Sequence, residues 1–430
     1  MSIHRRGFIK GMAASSLAFA AGGLYAKTGR TYRTALIGTG WWGTNILREA
    51  VASGRCRIVG LCDVDERQLA ACRRALAGMC DDQPKGYKDF RELLASEKPE
   101  IVIVATPDHW HPLITIAACK AGADVYVEKP VGHTVYEGRA MVKAARDNGR
   151  VVQVGTHRRV SPHNLSGLKF LKEGRAGDIG MVRCFVHYGG GPGQVTPDSE
   201  VPAGLDWDMW CGPGPLRPFN ARIHPRGFRN FLDYANGTLG DWGIHWLDQV
   251  LWWTEEKYPK TVSSIGARHI LRDNTDAPDT QVVQYEFESF TCTWEHRRYA
   301  HNHAEKHNIG AYFYGTKGTF HMGWLDGWTF YPANGRDPVV HEDPKLNKPD
   351  DQNIRELWAD FLDCVESRRR CVCDIEVGHR STSLSLLGML SMKIGRSIRW
   401  DGEKQIVVAD PEANRHLRRE YRRPWVYPEA

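Results

Sequence analysis

An aspartate and a histidine of this 430-residue chain have the types and spacing needed for proton transfer. Gly240-Asp241-Trp242-Gly243-Ile244-His245 begins a stretch of helical character, and Asp241 and His245 stand four residues apart. We therefore expect both on one helix face. Histidine is the usual proton acceptor near neutral pH, and a neighbouring carboxylate can fix its tautomer and raise its basicity. On spacing alone, the alternative is a capping aspartate beside a core histidine.

Lys129 is a candidate partner for that pair. It lies in Glu128-Lys129-Pro130, directly after an apolar run at 124–127 that predicts a strand. A cis peptide bond at Pro130 would turn the chain and aim the lysine inward. Its ammonium could then hydrogen-bond a substrate hydroxyl and stabilise negative charge developing on the oxygen. A surface lysine without a role is the alternative for this motif alone.

A glycine pattern, Gly38, Gly40 and Gly43, predicts a dinucleotide site. It follows an apolar run at 34–37 and precedes a predicted helix at 44–52. The first glycine permits a tight turn, the second lets the backbone approach a pyrophosphate, and the third lets helix and strand pack closely. Trp41 and Trp42 stand inside the pattern, where the helix N-terminus would face the phosphates. The alternative is a purely structural glycine turn.

Asp63 completes this pattern twenty residues after Gly43, at the end of a second apolar run at 58–62. A carboxylate at this place can accept hydrogen bonds from a ribose hydroxyl and would repel a phosphate. No arginine follows at position 64 or 65, so the sequence favours NAD over NADP.

A polar loop follows the predicted strand 101–105 and should also reach the cofactor, because ligands of open α/β sheets sit at the carboxyl ends of the strands. Its residues are Thr106, Pro107, His109 and His111, and Glu128 and Lys129 follow the next strand. His109 and His111 lack a third metal ligand in register. We predict no metal site there, nor at His301, His303 and His307, which are typical of a solvated loop.

The elements that position these residues fall into two domains. Residues 33–155 alternate apolar strand-like runs with helical patterns, which predicts a doubly wound parallel sheet covered on both faces, a Rossmann fold. Residues 156–398 alternate apolar and polar positions and end in two helical stretches, which predicts an α/β domain with an open, mostly antiparallel sheet. Residues 399–430 form a C-terminal tail that we expect along the surface.

These motifs together resemble the glucose–fructose oxidoreductase/inositol dehydrogenase (Gfo/Idh/MocA) family. The resemblance rests on the glycine pattern, Thr106-Pro107 with His111, Glu128-Lys129-Pro130, and Asp241 with His245. It covers nearly the whole chain after the N-terminus. It implies an NAD-binding Rossmann domain, a second domain often used for oligomerisation, and a lysine, aspartate and histidine at the substrate, which map onto Lys129, Asp241 and His245.

Exported members from carbohydrate-degrading bacteria look most similar. The shared segments are 154–159, 206–213 and 231–234, and they supply the candidate substrate residues His157, Arg158, Arg159, Trp210 and Tyr234. Many relatives have glutamines where His157 and Arg158 stand, so the substrate does not follow by analogy. Clustered tryptophans support a sugar only weakly, because such clusters are more often part of a core.

The first 26 residues predict an export signal. Arg5-Arg6-Gly7-Phe8-Ile9-Lys10 resembles the twin-arginine motif, and the mildly apolar stretch 12–24 is too short for a confident membrane span. The implied partner is the twin-arginine machinery, which exports folded proteins to the periplasm. The formal charge of +6 falls by three without this segment, which does not predict nucleic-acid binding. The spacing of the 11 cysteines predicts no disulfide framework. It leaves open whether one or two disulfide bridges form.

The leading hypothesis is an exported NAD-dependent oxidoreductase acting on a hydroxyl of a sugar, glycoside or polyol. His245 takes the proton with help from Asp241, and Lys129 orients the oxygen. One alternative is a glycoside-cleaving enzyme that uses tightly bound NAD for transient oxidation and elimination. Another is hydride transfer between two sugars, and a third is a non-catalytic sugar-binding protein. We expect a homo-oligomer, dimer or tetramer, formed through the C-terminal sheet.

Overall fold

The N-terminal half forms a six-stranded parallel sheet, as predicted. The structure is a computed structural model and describes residues 29–301 and 305–429. The sheet has the order β3-β2-β1-β4-β5-β6. Its strands are β1 (Tyr32–Ile37), β2 (Cys56–Cys62), β3 (Lys85–Tyr87), β4 (Ile101–Val104), β5 (Asp124–Val127) and β6 (Val152–Val154). The chain reverses direction across the sheet between β1 and β4, the point where doubly wound folds bind ligands.

Five helices cover the two faces of this sheet. They are α1 (Trp41–Ala52), α2 (Glu66–Ala77), α3 (Phe90–Glu97), α4 (His111–Lys120) and α5 (Val135–Asp147). The central strands β4 and β5 are buried at every position, which explains the apolar sequence of β4 and of the three residues after Asp124 in β5. The helices begin at side-chain caps where the sequence offers them: Asp65 caps α2, Asp89 caps α3, and Thr134 with Glu137 forms a capping box for α5.

The second domain contains a ten-stranded mixed sheet. Its order is β14-β13-β12-β11-β7-β10-β9-β8-β15-β16, and only the β7–β10 pair is parallel within the described strands. The strands are β7 (Ile179–His187), β8 (Thr261–Ala267), β9 (Thr280–Glu286), β10 (Thr291–Arg297), β11 (Ile309–Gly315), β12 (Gly318–Gly323), β13 (Trp328–Pro332), β14 (Val340–Glu342), β15 (Ile398–Asp401) and β16 (Ile406–Val407). The prediction of a mostly antiparallel sheet is confirmed.

Helices pack on one face of this sheet and leave the other face open. The helices of this half are α6 (Pro162–Lys172), α7 (Trp207–Cys211), α8 (Ile244–Thr254), α9 (Ile354–Ser367), α10 (Ile375–Ile394) and α11 (Pro411–Arg415). The inward positions of β9 and β10, such as Tyr285 and Trp294, are fully buried. Ile265 and Val282 pair across β8 and β9 on the open face, where 74% and 37% of their surfaces are exposed.

Sequence patterns missed several short elements. Strands β3 and β12 to β16 have few residues each, so alternation is hard to detect over their lengths. Most residues of the C-terminal tail are exposed or partly exposed, as expected of a surface tail, but several of their side chains contact the Rossmann domain. Arg419 and Tyr421 both donate hydrogen bonds to the buried carboxylate of Glu137, at 3.0 and 2.7 Å, and Trp425 packs edge-on against Trp110. This segment therefore ties the second domain to the Rossmann domain.

Three further predictions concern the cysteines, membrane-spanning helices and the N-terminal segment. All 11 cysteines are free thiols in the structure. None of the helices within 29–301 and 305–429 has both the length and the apolar character needed to cross a bilayer. The twin-arginine segment at 1–26 lies outside the described residues, and so does His303.

Candidate active site

A cleft of about 1100 Å³ opens at the carboxyl ends of β1, β2, β4 and β5. The Rossmann domain supplies most of its wall, and the loop between β7 and α8 closes the opposite side. Ten of the predicted site residues line it: Gly38, Gly40, Trp41, Trp42, Asp63, Thr106, Pro107, Glu128, Lys129 and Trp210.

The glycine loop has the shape of a phosphate cradle. A Cβ on Gly38 would lie 2.5 Å from the backbone of Ala105, and one on Gly43 would lie 2.1 Å from the carbonyl oxygen of Gly38. These two glycines are therefore required for packing. A Cβ on Gly40 would meet nothing within 4 Å, because this residue begins α1 at the edge of the cleft. The space in front of Gly40 and the N–H groups of α1 suit a pyrophosphate.

Asp63 is held in place for recognition of a ribose. Its Oδ2 accepts hydrogen bonds from the backbone N–H and the hydroxyl of Thr39, at 2.7 and 3.0 Å, and its Oδ1 accepts one from the N–H of Asp65. Oδ1 has one lone pair left and can accept a further bond. Burial raises the pKa of Asp63, although these hydrogen bonds oppose the shift. The residues of the cleft thus fit NAD at the sites that the fingerprint predicts.

The loop after β4 contributes Thr106 and Pro107 to the cleft wall, but not its two histidines. Thr106 has a buried hydroxyl without a hydrogen-bond partner among the described residues, as expected of a group that meets a ligand. The ring nitrogens of His111 lie 2.8 Å from the carbonyl oxygens of Pro130 and Thr106. His109 lies 3.0 Å from the carbonyl oxygen of Trp210. Both rings are buried behind the wall and do not line the cleft, where the sequence placed them.

Lys129 reaches from the cleft to Asp241. The Lys129–Pro130 peptide bond is cis, as predicted. The ammonium donates hydrogen bonds to the carboxylate Oδ1 of Asp241 at 2.7 Å and to its carbonyl oxygen at 2.8 Å. Arg229 donates from Nε to the same Oδ1 at 3.0 Å. Burial alone would raise the pKa of Asp241, but the two cations outweigh it and lower that pKa to about 2. The carboxylate is therefore ionised and fixes both cations at the inner end of the cleft.

His245 lies beside this ion cluster and is neutral. Burial is the main cause that holds the pKa of His245 well below its usual range, and the charges of Lys129, His157 and Arg158 act in the same direction. Its Nδ1 has no hydrogen-bond partner among the described residues. The imidazole is therefore unprotonated at neutral pH, which is the state that a proton acceptor requires, although its basicity is low.

The predicted pairing of Asp241 with His245 is wrong. Residues Leu239–Gly243 form a π-helical turn, and the regular helix α8 starts only at Ile244. The wider turn breaks the four-residue spacing, so the Asp241 carboxylate bonds Lys129 and Arg229 rather than the histidine. The basicity of His245 is lowered by its surroundings, opposite to the expectation from spacing.

The predicted substrate residues divide into two groups. Arg159 forms a buried bidentate ion pair with Asp248, and the hydroxyl of Tyr234 donates to the carbonyl oxygen of Pro215. These two side chains are already used inside the protein, which corrects their predicted contact with substrate. His157 and Arg158 remain candidates. The ring of His157 lies 5.7 Å from that of His245. Gln352 lies close to the His157 ring, but neither ring nitrogen of His157 forms a hydrogen bond of normal geometry.

Sequence reasoning missed four charged residues of the cleft, Lys88, Asp108, Arg226 and Arg229. Asp108 is the residue between the singled-out Pro107 and His109, yet a lone acid in a loop gave no pattern. Burial raises the pKa of its carboxyl to about 7, while the charge of Arg229 lowers it and that of Asp241 raises it. Arg229 lies in the irregular segment before α8, where no periodicity marks a functional position.

We expect Asp108→Asn to stabilise the cofactor-free protein relative to the unchanged chain, and to do so more at neutral pH than at acidic pH. Between its ordinary pKa of 3.8 and a folded-state pKa of about 7, the folded state holds a proton that the unfolded state has lost. Stability from this group is therefore present at low pH and is lost as pH rises to about 7. The difference in Tm between variant and parent should grow from about pH 4 to about pH 7. A constant difference would contradict the shift.

Three clusters among the described residues have ligand atoms close enough to hold a metal ion: His307 with His321 and Asp326, Asp360 with Cys364 and Cys371, and His187 with Glu295 and Glu305. None of these residues lines the cleft. The Nδ1 of His307 lies 2.8 Å from Asp326, and its ring stacks on His321. The loop around His307 was predicted to be solvated, but the His307 ring is packed against Asp326 and His321.

A Rossmann cleft with a lysine and an ion cluster at its inner end defines a nucleotide-dependent oxidoreductase fold, and comparison identifies the family. Residues 32–156 match the profile described as "Oxidoreductase family, NAD-binding Rossmann fold", and residues 184–427 match "Oxidoreductase family, C-terminal alpha/beta domain". The chain belongs to the Gfo/Idh/MocA oxidoreductase family and contains its NAD-binding Rossmann domain.

Curated relatives match over part of the chain. Inositol 2-dehydrogenase 1 of Saccharopolyspora erythraea is 30% identical over 156 residues, which cover 36% of this chain and 45% of that protein. A glycosyl hydrolase family 109 protein of Stenotrophomonas maltophilia is 29% identical over 189 residues, covering 41% of each. The chain spans less than half the length of these relatives.

The fold as a whole matches solved structures. The WlbA dehydrogenase from Bordetella pertussis, crystallised with NADH and UDP-GlcNAcA, superposes with a TM-score of 0.65 over 86% of this chain and 99% of that one. The sequence identity is 20%, so this match concerns the fold alone.

Proposed function

We propose that this chain is an NAD-dependent oxidoreductase that oxidises, or reversibly reduces, a hydroxyl of a sugar, glycoside or polyol. One observation carries the proposal: Lys129 lines the dinucleotide cleft, while Asp241 and Arg229 hold it beside the neutral His245. The inositol dehydrogenase relative supports a substrate of this class.

The cofactor would be held by the groups that fit it. Gly40 leaves room for the pyrophosphate, Asp63 can accept from a ribose hydroxyl, and Thr106 forms part of the cleft wall. The Asp63 carboxylate favours NAD over NADP. Bound NAD supplies the hydride acceptor.

Side chains from both domains handle the proton and the charge that it leaves behind. His245 accepts the proton of the substrate hydroxyl, because its imidazole is neutral. Lys129 donates a hydrogen bond to the same oxygen and stabilises the negative charge that develops there as the proton leaves. Asp241 acts through Lys129: it keeps the ammonium in position and, together with Arg229, limits its rotamers.

A second candidate is cleavage of a glycoside by transient oxidation of a ring hydroxyl, elimination of the aglycone and reduction of the ring. The similarity to a glycosyl hydrolase family 109 protein favours it. The same residues would serve, because both reactions begin by removing a hydroxyl proton. In this reading, NAD stays bound between turnovers.

Product analysis separates the two candidates. For the oxidoreductase we expect NADH and oxidised sugar to accumulate when a panel of sugars and polyols is incubated with the protein and excess NAD. Aryl glycosides without added NAD should then release no aglycone. Aglycone release, with the sugar unoxidised, would contradict net oxidation and establish cleavage. Mass spectrometry of the denatured protein adds the cofactor content: substoichiometric, easily dialysed NAD would count against a resident cofactor.

Export and assembly are further parts of the proposal. The twin-arginine-like segment suggests that the protein loads NAD and folds in the cytoplasm before transport to the periplasm. The exposed Ile265–Val282 pair on the open sheet face supports a homo-oligomer. Fractionation of cells producing the full chain would contradict export if the protein stayed cytoplasmic, and a monomeric mass by light scattering would contradict assembly.

A further inference from the structure

Arg158 is a buried arginine whose charge has no acceptor within the described chain. About 1% of its surface is exposed, and its Nε and Nη2 atoms make no hydrogen bond. Its Nη1 lies 3.3 Å from Nε2 of His163. That contact is between two donors, because Nδ1 of His163 already accepts from the N–H of Lys345, which leaves the proton of the neutral ring on Nε2.

The neighbouring arginine shows what the same edge of a guanidinium does when it is paired. Arg159 holds the carboxylate of Asp248 side-on, with Nε and Nη2 each 2.9 Å from one oxygen. In Arg158, the edge formed by Nε and Nη2 has no hydrogen-bond partner among the described residues. A planar carboxylate fits this fork geometry, and buried guanidinium groups are normally paired in this manner.

The position of Arg158 places it beside the proposed reaction site. Its guanidinium carbon lies 3.7 Å from the centre of the Trp324 ring, and the same indole contacts His245 at 4.9 Å between centroids. Burial lowers the pKa of Arg158 to about 9, so it stays protonated at neutral pH. The only acid that opposes this shift, Asp326, is engaged with His307.

The charged groups around the site carry an excess of positive charge. Asp241 pairs with both Lys129 and Arg229, so that one carboxylate faces two cations, and Asp108 is partly protonated near neutral pH. Arg158 adds a further positive charge with no carboxylate of the described protein bound to it. A ligand that carries a carboxylate would offset part of this excess.

We propose that the substrate is an acidic sugar, a uronic or aldonic acid or its glycoside, whose carboxylate binds side-on to Nε and Nη2 of Arg158. This inference rests on the proposed function, since it assigns the substrate class of that same site. Trp324 forms the apolar wall on which the guanidinium is stacked, and His245 faces the hydroxyl that loses its proton.

The test compares an acid with its uncharged isostere. Binding of D-glucuronate and D-glucuronamide to the NAD-saturated protein is measured by calorimetry, and D-galacturonate and D-gluconate are measured beside the corresponding neutral sugars. We expect at least one acid to bind about tenfold or more tightly than its neutral counterpart, because charge-assisted bidentate bonds are stronger than neutral ones. Glucose 6-phosphate tests whether the site binds a phosphate instead. If it binds more tightly than every acid, the assignment of a carboxylate ligand is wrong.

Variants of Arg158 assign the preference to this side chain. Arg158→Gln should bind acid and amide equally, and Arg158→Lys, which keeps the charge but lacks the fork, should retain only part of the preference. Arg336→Gln, the same change at an exposed arginine, should keep it. Tm measured for each variant identifies a folding defect. Equal binding in the parent, no saturable binding of any acid, or a preference that survives in folded Arg158→Gln would overturn the proposal.

Turnover distinguishes failure of this inference from failure of the proposed function. If an acid binds through Arg158 but no NADH forms and no aglycone is released, the substrate class stands and the redox function fails. If neutral sugars are oxidised at rates that Arg158→Gln leaves unchanged, the function stands and the acidic substrate is wrong.

Discussion

Replacement of Lys129 by Ala is expected to lower kcat by at least about 10²–10³-fold, the usual cost of losing one donor to a developing oxyanion. The ammonium is the charged donor that the cleft wall offers next to His245, and its removal also leaves Asp241 with Arg229 as its only cationic partner. NAD should still bind with an affinity within about tenfold of the parent, because the glycine loop and Asp63 are untouched.

The measurement is steady-state kinetics on a substrate that the sugar panel identifies, together with NAD titration of the same preparation. Lys143→Ala is the matched control: this lysine pairs with Asp147 on the exposed face of α5 and does not line the cleft. Wild-type rates in Lys129→Ala would remove the lysine from the mechanism. Loss of NAD binding with a normal Tm would instead make it a cofactor-binding residue.

The Rossmann domain could be predicted because its signals lie within short stretches of the sequence. The strands that lead into the cleft end in short apolar runs, and the predicted cofactor residues follow directly after these runs, so the carboxyl ends of the strands collect them without further information. Thr106 and Lys129 needed only this rule, and both line the cleft.

The ion cluster could be predicted only in part. Lys129 and Asp241 were singled out, but their direct contact joins residues 112 positions apart, and Arg229 enters from a segment without periodicity. A π-helical turn shifted Asp241 away from His245, and such a turn leaves no mark in a sequence that reads as ordinary helix.

Burial decided the roles of the substrate candidates. Arg158 and Arg159 are adjacent and chemically identical, yet Arg159 meets Asp248, which lies 89 residues away, and Arg158 meets no acid of the described protein. The sequence contains no local signal for that difference, since the partner of a buried charge is set by the packing of α8 against the segment after β6. The structure therefore supplies the substrate hypothesis that motif comparison left open.

A single methyl group on Gly40 should abolish NAD binding without harming the fold. The backbone of Gly40 has φ −62°, which alanine adopts freely, and its Cβ would meet no protein atom within 4 Å. It would instead project into the space that suits the pyrophosphate. We expect Gly40→Ala to weaken NAD at least about 100-fold, equivalent to about 2.7 kcal/mol, while the Tm of the cofactor-free protein changes little.

Two further glycines make this prediction specific. Gly180→Ala places a methyl group in equally open space at an exposed position of β7 and should change neither NAD affinity nor Tm appreciably. Gly43→Ala should lower Tm even without NAD, because its Cβ would lie 2.1 Å from the Gly38 carbonyl oxygen. Calorimetric titration with NAD and thermal melts with and without NAD measure all three. If Gly40→Ala keeps the NAD-induced rise in Tm, the pyrophosphate does not lie over Gly40, and the cofactor must enter the cleft in another orientation.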